Sequence, residues 1–118
     1  LRNPVIRRFV LREDMKIEKK AGISALCEYS LLSDNVYPTY AVTKKELKDS
    51  GVKVEKQVSE LEEIGCVVLE LGYFIDFLGK GFQDPLSVVL SLTGEEQEEE
   101  RVDISINEML EEYVWSKD

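Results

Sequence analysis

The stretch Thr43-Lys-Lys-Glu-Leu-Lys-Asp-Ser-Gly51, continued by Val52-Lys-Val-Glu-Lys-Gln-Val-Ser-Glu-Leu-Glu-Glu-Ile64 and Gly65, decides how this chain reads. Thr43 and Glu46 stand at capping-box spacing: the Thr hydroxyl accepts from the Glu amide while the Glu carboxylate reaches back to the Thr amide. Ser50-Gly51 predicts the end of that helix, because glycine tolerates the left-handed backbone of a helix stop. From Val52 to Ile64 the apolar residues Val54, Val58, Leu61 and Ile64 recur at helical spacing, and Gly65 predicts a second stop. Two short helices joined by a tight turn make a helical corner. Downstream, Cys66–Leu71 and Tyr73–Leu78 are β-branched and aromatic and predict two strands. Gly79-Lys-Gly81 and Asp84-Pro85 predict a turn before a third apolar run, Leu86–Leu92.

This order of elements, over roughly half the chain, resembles the winged helix-turn-helix superfamily. The resemblance implies an α+β fold with a helical core, a small antiparallel β-sheet or wing, and extra N- and C-terminal helices. Tyr37–Val42, extended around Pro38, would then be the small first strand. An unrelated small α+β domain with a helical corner beside a hairpin is the alternative.

Outside the corner, Asn3-Pro4 predicts a short N-terminal helix with Ile6, Phe9 and Val10 inward. A further helix is expected from near Ile17 to Leu32, where Ile23, Leu26, Cys27, Ser30 and Leu31 recur at three and four residues and Asp34-Asn35 ends the pattern. Ser105 and Glu108 repeat the capping spacing before Ile106, Met109, Leu110, Tyr113 and Val114, which predicts a closing helix. Gly94–Glu100 holds five carboxylates interrupted by Gln97, so residues 94–102 read as a solvated, flexible loop.

The 118 residues suffice for a single domain with one core, 1–118, and no composition break divides them. A start at Leu1 rather than Met suggests a domain excised from a larger protein. Residues 1–16 fit either the core or a linker. Cys27 and Cys66 lie in apolar runs and read as reduced core thiols, which argues for an intracellular setting, nuclear or cytoplasmic. No apolar run is long enough to span a membrane.

Charge divides the chain. Residues 1–56 carry 12 Lys/Arg against 8 Asp/Glu, whereas residues 57–118 carry 3 against 16, within a total of −9. The basic half suits phosphate, and it equally suits the acidic half of another copy. The outward face of the second corner helix discriminates between these, because a DNA-reading winged helix lays it in the major groove. With Val54, Val58 and Leu61 inward, the outward residues are Lys56, Ser59, Glu60 and Glu63; one lysine beside two carboxylates is poor for phosphate affinity. The expected wing tip adds one Lys and one Asp.

The sequence therefore favours a non-catalytic module for protein contact, by homodimerisation or by docking within a transcription, replication or chromatin assembly. Its candidate interface is Tyr73, Phe74, Ile75, Phe77, Leu78 and Phe82, too apolar for both faces of a two-stranded wing to be buried, with Trp115 as a terminal anchor beside Tyr113. Direct binding of duplex DNA is the alternative, through Lys44, Lys45, Lys48, Lys53 and Lys56 on the backbone and Ser59 and Glu60 on the bases. An acidic mimic of nucleic acid fits the second half and conflicts with the first. Enzymatic chemistry finds little support: the chain has no histidine, no phosphate-cradling loop and no metal-ligand spacing, so neither cofactor nor small-molecule substrate is expected.

Overall fold

A computed structural model of the chain describes residues 2–33, 37–49 and 63–115. Its elements run β1 (Val5–Leu11), α1 (Gly22–Tyr29), β2 (Thr39–Val42), α2 (Lys44–Asp49), β3 (Cys66–Leu71), α3 (Pro85–Ser91), α4 (Gly94–Glu98) and α5 (Glu100–Tyr113). The α+β class is as expected: helices pack around a small mixed sheet of order β1-β3-β2.

β3 is the central strand and all six of its residues are buried, which is why Cys-Val-Val-Leu-Glu-Leu reads as a continuous apolar run rather than an alternating one. β1 pairs with it antiparallel, placing Phe9 opposite Val68 and Leu11 opposite Cys66, whereas β2 runs parallel to it with Tyr40 opposite Val68. A parallel pair requires a crossover, and α2 begins that crossover directly after β2. Leu47 of α2 packs with Phe9, Leu11, Tyr40, Val42, Cys66 and Val68. Val10, Ala41, Val67, Leu69 and Leu71 form a separate cluster with Ala21, just ahead of α1. Beyond it, α1, α3 and α5 share a core of Leu26, Tyr29, Val88, Val102 and Met109.

The first corner helix forms as its capping residues require. The Thr43 amide donates to Glu46 Oε1 at 3.0 Å, and the Glu46 amide donates to Thr43 Oγ1 at 3.3 Å. The expected second corner helix lies outside the described residues as far as residue 62.

Elsewhere the fold departs from the sequence reading. The N-terminal segment is a strand: Asn3 Oδ1 accepts from the Val5 amide in a turn that leads into β1, and Phe9, Val10 and Leu11 are buried because both faces of the sheet are covered there. This places Phe9, Val10 and Leu11 in the core, whereas Ile6, expected inward on a helix, is exposed on the strand. The helix expected over 17–32 is confined to Gly22–Tyr29. Lys19, Lys20 and Ala21 are instead held along β2, with Ala41 N donating to Lys19 O at 2.9 Å and Ala21 N donating to Thr39 O at 3.1 Å.

The wing hairpin does not form among the described residues. Tyr73–Leu78 is a turn region with one isolated bridge, Asp76 to Gln83, and Pro85–Ser91 is helical. Asp84 and Pro85, which look like a turn, are the N-cap and first residue of α3: Asp84 Oδ2 accepts from the Ser87 amide at 3.1 Å. The acidic run is not a loop either. Thr93 and Glu96 form a full capping box on α4, and α5 starts at Glu100, leaving Ser105 buried inside the helix rather than capping it. Carboxylates in a first turn favour helix, since they face the positive end of the backbone dipole.

Candidate functional site

A ladder of aromatic rings organises one end of the helical layer. Tyr29, the last residue of α1, stands edge-on to Phe82 with centroids 6.1 Å apart and to Tyr113 of α5 at 5.1 Å; Tyr113 in turn meets Phe77 at 6.4 Å and 86°. The Tyr29 hydroxyl donates to the Gln83 carbonyl at 2.8 Å and so ties α1 to the segment that leads into α3. Burial pushes the Tyr29 phenol well above its usual range, and the Asp84 and Asp76 carboxylates push it further in the same direction.

The seven aromatic and aliphatic residues expected at an interface divide by depth. Tyr73, Phe74 and Phe82 are half-buried: the Tyr73 hydroxyl donates to the Arg2 carbonyl at 3.0 Å, Lys19 Nζ stands 5.1 Å over the Phe74 ring, and Lys20 Nζ stands 5.8 Å over Phe82. Ile75, Phe77, Leu78 and Trp115 keep 50%, 48%, 39% and 57% of their surface exposed. The expected alternation between two strand faces is absent because the segment is not a strand. Trp115 follows Tyr113 by two residues, and its amide donates to the Leu110 carbonyl at 2.7 Å, closing α5 at the end where Phe77 packs. Leu31, expected inward on a longer helix, lies just past α1 and is 90% exposed.

Of the nucleic-acid candidates, Lys44, Lys45 and Lys48 are exposed on α2, while Lys53, Lys56, Ser59 and Glu60 lie outside the described residues. Two other lysines of the basic half are engaged within the fold: Lys19 Nζ with Glu46 Oε2 and Lys20 Nζ with Glu28 Oε1, each at 2.7 Å. Lys19 holds the Glu46 carboxyl below its usual range. Arg7 Nε pairs at 2.7 Å with the buried Glu70.

An open cleft of about 430 Å³ is lined by Arg8, Tyr37, Thr93, Gly94, Glu95 and Glu96. Its polar groups are partly committed, since Thr93 and Glu96 cap α4 through each other. Among the described residues, no group of three or more Cys, Asp or Glu side chains is placed to hold a metal ion, and no helix is long and apolar enough to cross a membrane. Cys66 is a buried thiol, and burial pushes it up.

No protein-family model, curated protein or solved structure matches this chain.

Proposed function

We propose that this domain is a non-catalytic protein-contact module. The observation that carries the reading is the exposure of Ile75, Phe77, Leu78 and Trp115 at the end of the helical layer where the Tyr29, Tyr113 and Phe77 rings meet. Single exposed apolar residues are ordinary, but large ones gathered on adjoining segments mark surfaces that another molecule covers, and Trp and Phe are typical anchors. The Thr43-capped α2 belongs to the same proposal, as part of a scaffold that serves docking within a transcription, replication or chromatin assembly.

Site-specific photo-crosslinking in the cell of origin tests this. A photoreactive residue at position 77 or 115 is expected to give discrete protein adducts, either with another copy or with another chain, while position 107 on the exposed side of α5 gives none. Equal and diffuse labelling at all three positions would remove the reading.

Duplex DNA binding is the second reading, favoured by the three exposed lysines, Lys44, Lys45 and Lys48, within the six residues of α2. It requires a duplex mobility shift that falls steeply with salt and weakens on Lys44→Glu with Lys48→Glu.

A further inference from the structure

The charges around the exposed apolar end identify what would cover it. α5 ends in Glu108, Glu111 and Glu112, with no basic side chain in its last turn. Among the described residues, none of these three carboxylates is ion-paired, whereas Glu28, Glu46 and Glu70 each have a lysine or arginine at 2.7 Å. Their position is unfavourable for the isolated chain. A helix C-terminus carries about half a negative charge of its own, and like charges three and four residues apart repel. Asp76 adds a carboxylate beside Phe77, and Lys80 is the one cation of that turn.

Resting on the protein-contact reading, we propose that the occupant is an apolar segment of another protein flanked by Lys or Arg, its apolar side chains on Phe77 and Trp115 and its cations over the C-terminal turns of α5. A second copy fits less well, because a two-fold pairing through this end would bring Glu108, Glu111 and Glu112 of both copies together. Nucleic acid and anionic lipid surfaces meet the same repulsion. A cationic amphipathic segment relieves it and covers the apolar side chains at once.

The test uses the purified chain and two fluorescent peptides of one amphipathic apolar pattern, the first with Lys flanks and the second with Glu flanks, read by anisotropy. The Lys peptide is expected to bind at least about tenfold more tightly than the Glu peptide, with an affinity that falls as salt rises. Trp115→Ser and Phe77→Asp should each weaken it by about tenfold or more. The combined Glu108→Gln, Glu111→Gln and Glu112→Gln variant should weaken it severalfold and flatten the salt dependence. Ile104→Ser, at an exposed apolar position in the first half of α5, nine residues before the Tyr113 ring that meets Phe77, should change nothing, and an unaltered melting curve for Trp115→Ser separates contact from stability. Equal binding of both peptides overturns the cationic occupant and leaves the contact reading standing, as does self-association sensitive to Phe77→Asp with neither peptide bound. No peptide binding together with a strictly monomeric chain overturns both.

Discussion

Gln83 Oε1 accepts a hydrogen bond from the Gly22 amide at 3.0 Å, across 61 positions of the chain. Ala21, at the N-cap of α1, offers no side-chain acceptor, so Gln83 satisfies an amide that would otherwise be buried and unpaired. Its other end is engaged as well: Nε2 donates to Ser91 Oγ at 2.8 Å, the main-chain N–H donates to the Lys20 carbonyl at 2.9 Å, and the main-chain carbonyl accepts from Tyr29. One fully buried side chain therefore joins α1, α3 and the strand-like segment beside β2. Gln83→Leu, similar in volume but without polar atoms, should cost about 2 to 3 kcal/mol in urea denaturation, because it strands the Gly22 amide and removes the partner of Ser91. A loss below about 0.5 kcal/mol would show that water replaces the amide.

Glu70 lies on the central strand with 3% of its side chain exposed, and it pairs with Arg7, which keeps 53%. Removing the arginine leaves a buried carboxylate without its counter-ion, and this asymmetry sets the order of the expected losses. Arg7→Ala should destabilise by about 2 kcal/mol, reduced from the fully buried case because water reaches the guanidinium side, and Glu70→Gln by about half as much. The double variant should lose less than the sum of the two, a coupling that a thermodynamic cycle of urea midpoints would measure. Additive losses would mean that the pair does not interact energetically.

Gly65 stands just before β3 and Gly79 in the turn after Phe77, and their substitutions should differ sharply. A Cβ on Gly65 would stand 2.2 Å from the Arg12 carbonyl oxygen, a backbone atom of the turn after β1 that cannot swing aside. Gly79 has φ +70 with open space around it, so alanine there meets conformational strain alone. Gly79→Ala is expected to cost about 1 kcal/mol, and Gly65→Ala about 3 kcal/mol or more, or to prevent folding. Comparable melting temperatures for the two variants would refute the close approach.

What the sequence disclosed follows from how local each cause is. The Thr43 and Glu46 cap and the apolar run of β3 involve neighbours within a few residues, and both stand as read. A short apolar run such as Leu86–Leu92 has no decisive period, and Asp84-Pro85 marks a turn and a helix start equally well. Ile17–Leu32 has helical spacing throughout, but hydrogen bonds with residues 39, 41, 81 and 83 hold its first part extended, and none of those partners is visible locally. The exposed apolar end was half legible. The density of aromatic residues showed that some must remain outside, whereas the inward choice of Phe74 and Phe82 depends on Lys19, Lys20 and Tyr29, which lie far away in the chain.

The alkaline limit of stability should be set in large part by Tyr29 and Tyr40. Both phenols are pushed above their ordinary value of 10.0, chiefly by burial; Asp84 and Asp76 add to the effect at Tyr29, and the 2.5 Å hydrogen bond to Asp14 adds to it at Tyr40. In each the folded state keeps a proton that the unfolded chain releases. Their contribution is thus fully present below pH 10 and is lost as pH rises from there toward the folded value. With both groups protonated in the fold and ionised in the unfolded chain, stability should fall by about 2.7 kcal/mol per pH unit, twice the single-group slope of about 1.4 kcal/mol. The Cys66 thiol, also pushed up from its ordinary 9.0, adds a loss of the same sign. Urea midpoints between pH 8 and 12 measure the slope, and absorbance near 295 nm should show these two tyrosines ionising together with unfolding. Tyr29→Phe should lower stability at neutral pH by about 1 to 2 kcal/mol through the lost bond to Gln83 and should also make the alkaline slope shallower. An unchanged slope in that variant would show that Tyr29 does not control the alkaline transition.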